Sequence, residues 1–228
     1  SNVNGAVQDL AGLREVFPET PILVDAAQTA GVLPIDVAAP AVEFLACSAH
    51  KGLLGPTGVG VCYLAPGCDL APLCEGGTGS RSESLDHPDF RPDRYEAGTM
   101  NLHGIAGTYG ALAGIEHRGL LGDHQRQLAA MLLEGLAAIP GVHIHSPGDG
   151  TALCASFTVD GRTPDEVSLQ LERVHGILSR PGLQCAPAAH RHLGTFPAGT
   201  VRLSPGWGNT PQQADTVLRA VRQIVAGG

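Results

Sequence analysis

Three short apolar runs bounded by Gly and Pro constrain this chain more than any other feature. They are Pro21–Asp25, Glu43–Ser48 and Gly58–Leu64. Runs of this length and composition suit buried strands of a mostly parallel sheet. Helical patterns surround them. Val7, Leu10, Leu13 and Phe17 mark a short helix over residues 6–17, and residues 103–117 and 123–139 read as two more. In the last of these Leu128, Leu132, Leu136 and Ile139 fall on one face. Helix alternating with strand argues for an α/β fold. Ligands of such sheets sit beyond the C-terminal ends of the strands. Asp25 and the segment Ser48–Lys51 lie at two of those ends. Between the strands and the helices, residues 65–100 are rich in Gly, Pro, Ser and charge. They read as long surface loops of the kind that cover an active site.

After Pro140-Gly141 the pattern changes. Val142–His145 and Leu153–Val159 read as strands. Thr163-Pro164-Asp165-Glu166 is a capping box with Pro at the first helical position, opening a helix to about Arg173. Gly176–Ser179 and Thr200–Ser204 read as strands again. A second capping box, Thr210-Pro211-Gln212-Gln213, opens a helix with Val217, Leu218, Val221, Ile224 and Val225 inward. Two strands, a helix, two strands and a helix make a small α+β domain. The expected organisation is therefore a partial large domain over residues 1–140 and a small domain over 141–228.

Composition narrows the partners. The net charge is -8 and the aromatic content is 4%, with no basic run, which disfavours nucleic acid and anionic membrane. No apolar stretch approaches the roughly 18 residues of a membrane span. The six cysteines, at positions 47, 62, 68, 74, 154 and 185, include no C-x-x-C pair. That spacing gives no zinc site, so no metal is expected. They read as reduced thiols of a cytoplasmic protein, most of them small core residues and one a possible nucleophile.

The two strand ends could do chemistry. A lysine such as Lys51 can form a Schiff base with an aldehyde cofactor. Pyridoxal phosphate withdraws electrons only while its ring nitrogen stays protonated, which a carboxylate such as Asp25 favours. Ser48 and His50 could bind its phosphate. On residue types alone, a single lysine after a strand is more often a solvated surface residue.

The order of motifs is more specific. Asp25-Ala26-Ala27-Gln28-Thr29-Ala30-Gly31, followed by Ser48-Ala49-His50-Lys51-Gly52-Leu53-Leu54-Gly55-Pro56, resembles the core of the class V aminotransferase family of pyridoxal-phosphate enzymes. Within that family it is most similar to the cysteine desulfurases. The loops Glu75–Ser80 and Tyr95–Thr99 resemble those after the family's lysine. Gln184-Cys185-Ala186-Pro187 and Thr200–Ser204 resemble its C-terminal motifs. The resemblance implies a pyridoxal-phosphate-dependent transferase fold, here with part of the large domain.

It also implies roles. Lys51 would hold the cofactor and move protons at the substrate's α-carbon. Asp25 would pair with the ring nitrogen, Gln28 would bond the phenolic oxygen, and Ser48 and His50 would hold the phosphate. Asn2 would lie near the cofactor and the substrate carboxylate. Thr99 would reach the phosphate of a neighbouring subunit, implying a homodimer with shared sites. Arg202 would grip the substrate carboxylate, a task that suits a planar guanidinium. Cys185 would be the nucleophile. It lies in a Pro- and Gly-flanked segment, with Arg180, His190 and Arg191 as cations that could favour its thiolate. Blander readings stand beside these: a helix-start glutamine, a core histidine, a turn threonine, an inert thiol, a strand-end arginine.

The expected reaction converts L-cysteine to L-alanine and leaves a persulfide on Cys185 for an acceptor protein. A selenocysteine lyase or an aminotransferase would use the same fold. The family's large domain has a further N-terminal part, with a phosphate loop and a ring-stacking group, that these 228 residues lack. An inactive truncated relative is therefore the third alternative, and the 228 residues alone are expected to fold marginally and bind the cofactor poorly.

Overall fold

The structure is a computed structural model and describes residues 1–39 and 41–227. The chain forms two compact units, Leu10–Gly119 and Ser1–Asp9 together with Leu120–Gly228. The expected division near residue 140 differs from this parting at Leu120. The reason is α3 (Gly122–Ala137), which is buried against the C-terminal elements through Leu132 and Leu136.

The first unit holds a three-stranded sheet of β1 (Leu23–Asp25), β2 (Phe44–Ser48) and β3 (Gly60–Leu64), in that order. β1 and β2 are parallel, so Asp25 and Ser48 reach the same end. β3 is antiparallel to β2, pairing Ser48 with Gly60 and Phe44 with Leu64. The sheet is thus mixed rather than mostly parallel. The connection 49–59 is the cause: a parallel return needs a crossover of about a dozen residues or more, usually a helix. These residues instead form a turn, closed by Ala49 N–H donating to Val59 O at 3.0 Å and Gly55 N–H donating to Ala49 O at 2.8 Å. One face of the sheet packs Leu45, Val24, Cys47 and Tyr63 with Leu10, Ile35 and Val37.

α1 spans only Leu10–Val16 and buries no residue fully. Its expected apolar face is largely exposed, with Leu13 and Phe17 both at the surface. Polar anchoring secures this segment. Arg14 donates to the carbonyls of Phe17, Pro18, Thr20 and Ala41 and pairs with Glu43 at 2.9 Å. Glu43 in turn accepts from Ile22 N–H at 2.6 Å, so one ion pair fixes the starts of both β1 and β2. α2 (Leu102–Arg118) is capped by Asn101, whose side chain accepts from Gly104 N–H at 3.0 Å.

In the second unit, β4 (Val142–Ile144), β5 (Ala155–Val159) and β6 (Val201–Leu203) form an antiparallel sheet. Its core face carries Ala155, Phe157, Val201 and Leu203 against α3, α4 (Pro164–His175) and α6 (Pro211–Ala226). Both capping boxes form as the sequence indicated. So do the apolar faces: Leu128, Leu132, Leu136 and Ile139 are buried, as are Leu218, Val221 and Ile224. The segment 176–179 does not become a strand. It leaves α4 through Gly176 in the left-handed conformation, and only Arg180 bridges to Arg202. Among the described residues no helix is long and apolar enough to cross a membrane.

Candidate active site

Strand alternation gives β5 and β6 a second, polar face. Ser156 and Thr200 are fully buried on it and share a hydrogen bond of 2.7 Å, with Arg202 opposite Ser156. The N-terminal segment lies against this face. Leu153 N–H donates to Gly5 O at 3.3 Å, and Gly5 sits where a Cβ would strike the backbone nitrogens of Leu153 and Cys154. Asn2 is thereby placed between two predicted site residues. Its carbonyl accepts from Arg202 Nη1 at 2.5 Å, and its Nδ2 donates to Gln184 O, the carbonyl preceding Cys185, at 2.6 Å. Arg202 Nε is buried and has no partner among the described residues. Arg180 and Arg202 exchange backbone hydrogen bonds at 2.9 Å, which puts both guanidinium stems on one side of that bridge.

Cys185 is exposed at the tip of a two-residue turn. Ala186 N–H closes the turn on Leu183 O at 2.9 Å, with Gln184 at φ 44° and Cys185 at φ 62°. Two successive non-glycine residues in the left-handed region cost about 1–3 kcal/mol each, so the surroundings must impose the conformation. α5 (Pro187–His192) begins two residues after Cys185. Of the cations expected near the thiol, His190 is fully buried, and burial lowers its pKa. Arg191 stacks on Phe196, 4.4 Å from the ring centroid.

The other five cysteines are not uniformly core. Cys62 and Cys74 are exposed, Cys47 and Cys68 are half-buried, and only Cys154 is buried. Burial pushes the Cys154 thiol up to about 11, against a smaller opposing pull from Arg202. The folded state therefore keeps this proton after the unfolded chain has lost it near 9.0. Stability is intact below that unfolded pKa. It falls by about 2 kcal/mol as the pH rises to the folded one. Urea unfolding near pH 8 and pH 11 measures the loss, and Cys154→Ala removes that contribution.

The remaining predicted residues gather in the first unit. Asp25 ends β1, and its Oδ1 accepts from Ala27 N–H at 2.9 Å. Gln28 is exposed on the turn that follows, Ser48 ends β2, and His50 and Lys51 are exposed on the turn after it. His50 is thus not a core histidine. Among the described residues the Lys51 amine and the Asp25 carboxylate take part in no ion pair. Two glycines lock the two turns together. A Cβ on Gly31 would overlap the Gly52 carbonyl, and one on Gly52 would overlap Ala30 O and Val32. Gly52→Ala is expected to cost about 2–3 kcal/mol, measured by urea unfolding, because backbone must move to admit the methyl. On the other side Gly104, Gly107 and Thr108 of α2 approach Val59, Pro56 and Gly55. These small residues were not singled out in the sequence, although their close spacing on one helix was the available signal. Thr99 is exposed on the loop before α2, where Gly98 N–H donates to Gly77 O at 2.9 Å and ties the loops 75–80 and 95–99 together. Among the described residues no cluster of three His, Cys, Asp or Glu could hold a metal ion.

Asp25, Gln28, Ser48, His50 and Lys51 therefore share one sheet end, while in the other unit Asn2 links Arg202 to Gln184, the residue before Cys185. The comparisons with known proteins bear on the chain as a whole. A probable cysteine desulfurase of Methanothermobacter thermautotrophicus is 32% identical over 241 residues, covering 100% of this chain and 59% of its own length. The apo structure of a cysteine desulfurase from Thermococcus onnurineus superposes with a TM-score of 0.84 at 30% identity, over 100% of this chain and 58% of its own. The cysteine desulfurase CsdA from Escherichia coli gives a TM-score of 0.86 at 28% identity, over 99% and 57%. The chain thus spans somewhat over half the length of these relatives. The sequence pattern of the aminotransferase class-V family matches residues 1–217, and the chain belongs to that family.

Proposed function

We propose that the protein is a pyridoxal-phosphate-dependent cysteine desulfurase, converting L-cysteine to L-alanine and holding the released sulfur as a persulfide on Cys185. The observation that carries the reading is the Cys185 turn: an exposed thiol presented in a strained backbone, in a turn that Asn2 ties through the Gln184 carbonyl to Arg202, in a member of this family.

The sheet end fits the cofactor by its donor set. It offers an amine, a carboxylate, an amide, a hydroxyl and an imidazole, with the amine and carboxylate free of ion pairs among the described residues. When bound, pyridoxal phosphate supplies the electron sink. Lys51 holds its aldehyde carbon and then moves the proton at the substrate's α-carbon. Asp25 keeps the ring nitrogen protonated. Gln28 donates to the phenolic oxygen, Ser48 and His50 bind the phosphate, and Asn2 bonds near the cofactor and the substrate carboxylate. Arg202 holds that carboxylate, and its unpartnered Nε is a donor that an anion would satisfy.

Cys185 thiolate attacks the substrate sulfur. The sulfur–sulfur bond forms as the carbon–sulfur bond breaks, and a proton completes the methyl group of alanine. One cysteine and one thiol give one alanine and one persulfide, so no outside oxidant is required. A sulfur-acceptor protein, a cytoplasmic location with reduced thiols, and a homodimer in which Thr99 serves the neighbouring phosphate complete the proposal.

The test is an assay of the protein loaded with pyridoxal phosphate. L-Cysteine with a reducing thiol should give alanine and sulfide in equal amounts. Preferred turnover of selenocysteine, amino-group transfer to a 2-oxo acid, or no turnover at all would each overturn the assignment.

A further inference from the structure

The Cys185 turn has a buried support. Gln184, the other left-handed residue of the turn, is only 5% exposed, and both ends of its amide are engaged. Nε2 donates to Arg180 O at 3.1 Å and to Thr200 O at 2.9 Å. Oε1 must then be the acceptor for His190 Nε2, 2.9 Å away. This fixes the imidazole tautomer: the proton is on Nε2, and Nδ1 accepts from the Thr195 hydroxyl at 2.8 Å. On the other side Ser156 Oγ donates to Thr200 Oγ1 at 2.7 Å, and Thr200 Oγ1 points to Gln184 Oε1 at 3.5 Å. Every donor in the series has an acceptor. The backbone is braced as well, because Gly199 lies so close to Gly182 that a Cβ would overlap the Gly182 carbonyl.

We propose that Gln184 and His190 are positioning residues for Cys185: their buried hydrogen bonds hold the turn in its strained conformation and so aim the thiol. This inference rests on the reading of Cys185 as the sulfur-accepting thiol. Sulfur transfer needs in-line approach of two sulfur atoms, and a misplacement of about 1 Å can cost on the order of 100-fold in rate. A hydrophobic residue at position 190 would fill the space but leave Gln184 Oε1 without its main donor, freeing the turn to relax.

The experiment uses the whole protein loaded with pyridoxal phosphate. His190→Leu should lower kcat for sulfide release at least about tenfold, with KM for cysteine within about twofold. His190→Gln, which restores an N–H near Nε2, should recover kcat to within about threefold of wild type. Gln184→Glu should behave as His190→Leu, since a carboxylate cannot donate to the Arg180 and Thr200 carbonyls. Should His190→Leu fail to fold, Thr195→Val removes the hydroxyl that serves Nδ1 at little change in volume, and should lower kcat in the same direction. Alkylation by iodoacetamide is the second readout. Cys185 should label at least about threefold more slowly in folded His190→Leu, with Cys62 and Cys74 unchanged as exposed references.

Wild-type kcat and labelling in a folded His190→Leu or Thr195→Val, or a glutamine no better than leucine, overturns the proposal. If Cys185→Ser keeps full sulfide release, the nucleophile reading fails separately. Labelling then decides the positioning role by itself, and an unchanged rate rejects it.

Discussion

In the whole protein loaded with pyridoxal phosphate, Cys185→Ser should retain the bound cofactor and its absorbance while sulfide release from cysteine falls by about 1,000-fold or more. A hydroxyl is nearly isosteric with the thiol, and no hydrogen bond that holds the turn uses Sγ. Gln184 makes those bonds from its amide and its carbonyl. The variant should therefore unfold at the wild-type urea concentration. What changes is the nucleophile. A serine hydroxyl ionises far less readily than a thiol and cannot carry a persulfide. The asymmetry between intact cofactor binding and lost sulfur transfer is the diagnostic result, read by absorbance and sulfide assay on the same sample. Sulfide release at the wild-type rate would remove Cys185 from the reaction. The same substitution at Cys62 or Cys74, which are also exposed but lie outside this turn, should leave turnover unchanged.

The sequence disclosed those parts of the fold that local chemistry determines. The two capping boxes fix the starts of α4 and α6, and a repeat of Leu128, Leu132 and Leu136 can only be the inner face of α3. Strand direction was less legible. The apolar run in β3 looks the same whichever way it pairs, and the short connection 49–59 was the sole clue that it folds back. The segment 176–179 failed as a strand because Ser179 bonds to Ser168 and α4 ends in a left-handed glycine, neither of which composition reveals.

For the candidate site, residue types made Lys51 and Asp25 possible and the family resemblance pointed to Cys185, but neither led to what holds them. In the sequence Gln184 stands only as part of a motif and His190 as a cation near the thiol, and only the fold shows them buried and bonded to each other. The left-handed backbone at Cys185 is equally silent in the sequence, because no glycine or asparagine marks it. Buried polar groups are where sequence pattern misleads most, since their partners come from distant positions, such as 156, 184, 190 and 200 here.

Lys51→Ala should abolish turnover of cysteine, by about 10,000-fold or more, without lowering stability by more than about 0.5 kcal/mol. The two halves of this prediction come from different observations. The backbone of the Lys51 turn is set by Leu54 N–H donating to Lys51 O at 2.9 Å, by Leu54 at φ 58° and by the Gly31–Gly52 contact. None of these involves the lysine side chain, which is exposed and takes part in no ion pair among the described residues. Removing it should leave the fold as it was. On the proposed reading the amine is the group that attaches the cofactor and carries the α-proton, and the sequence holds no other lysine to replace it. Lys51→Arg separates charge from nucleophilicity. A guanidinium keeps a cation near Ser48 and His50 but neither deprotonates nor adds to an aldehyde. Arginine should therefore be as inactive as alanine, whereas a small primary amine added to Lys51→Ala should restore part of the proton transfer at the α-carbon. Wild-type turnover in Lys51→Arg would reduce Lys51 to the solvated surface residue that its position after a strand suggests by itself.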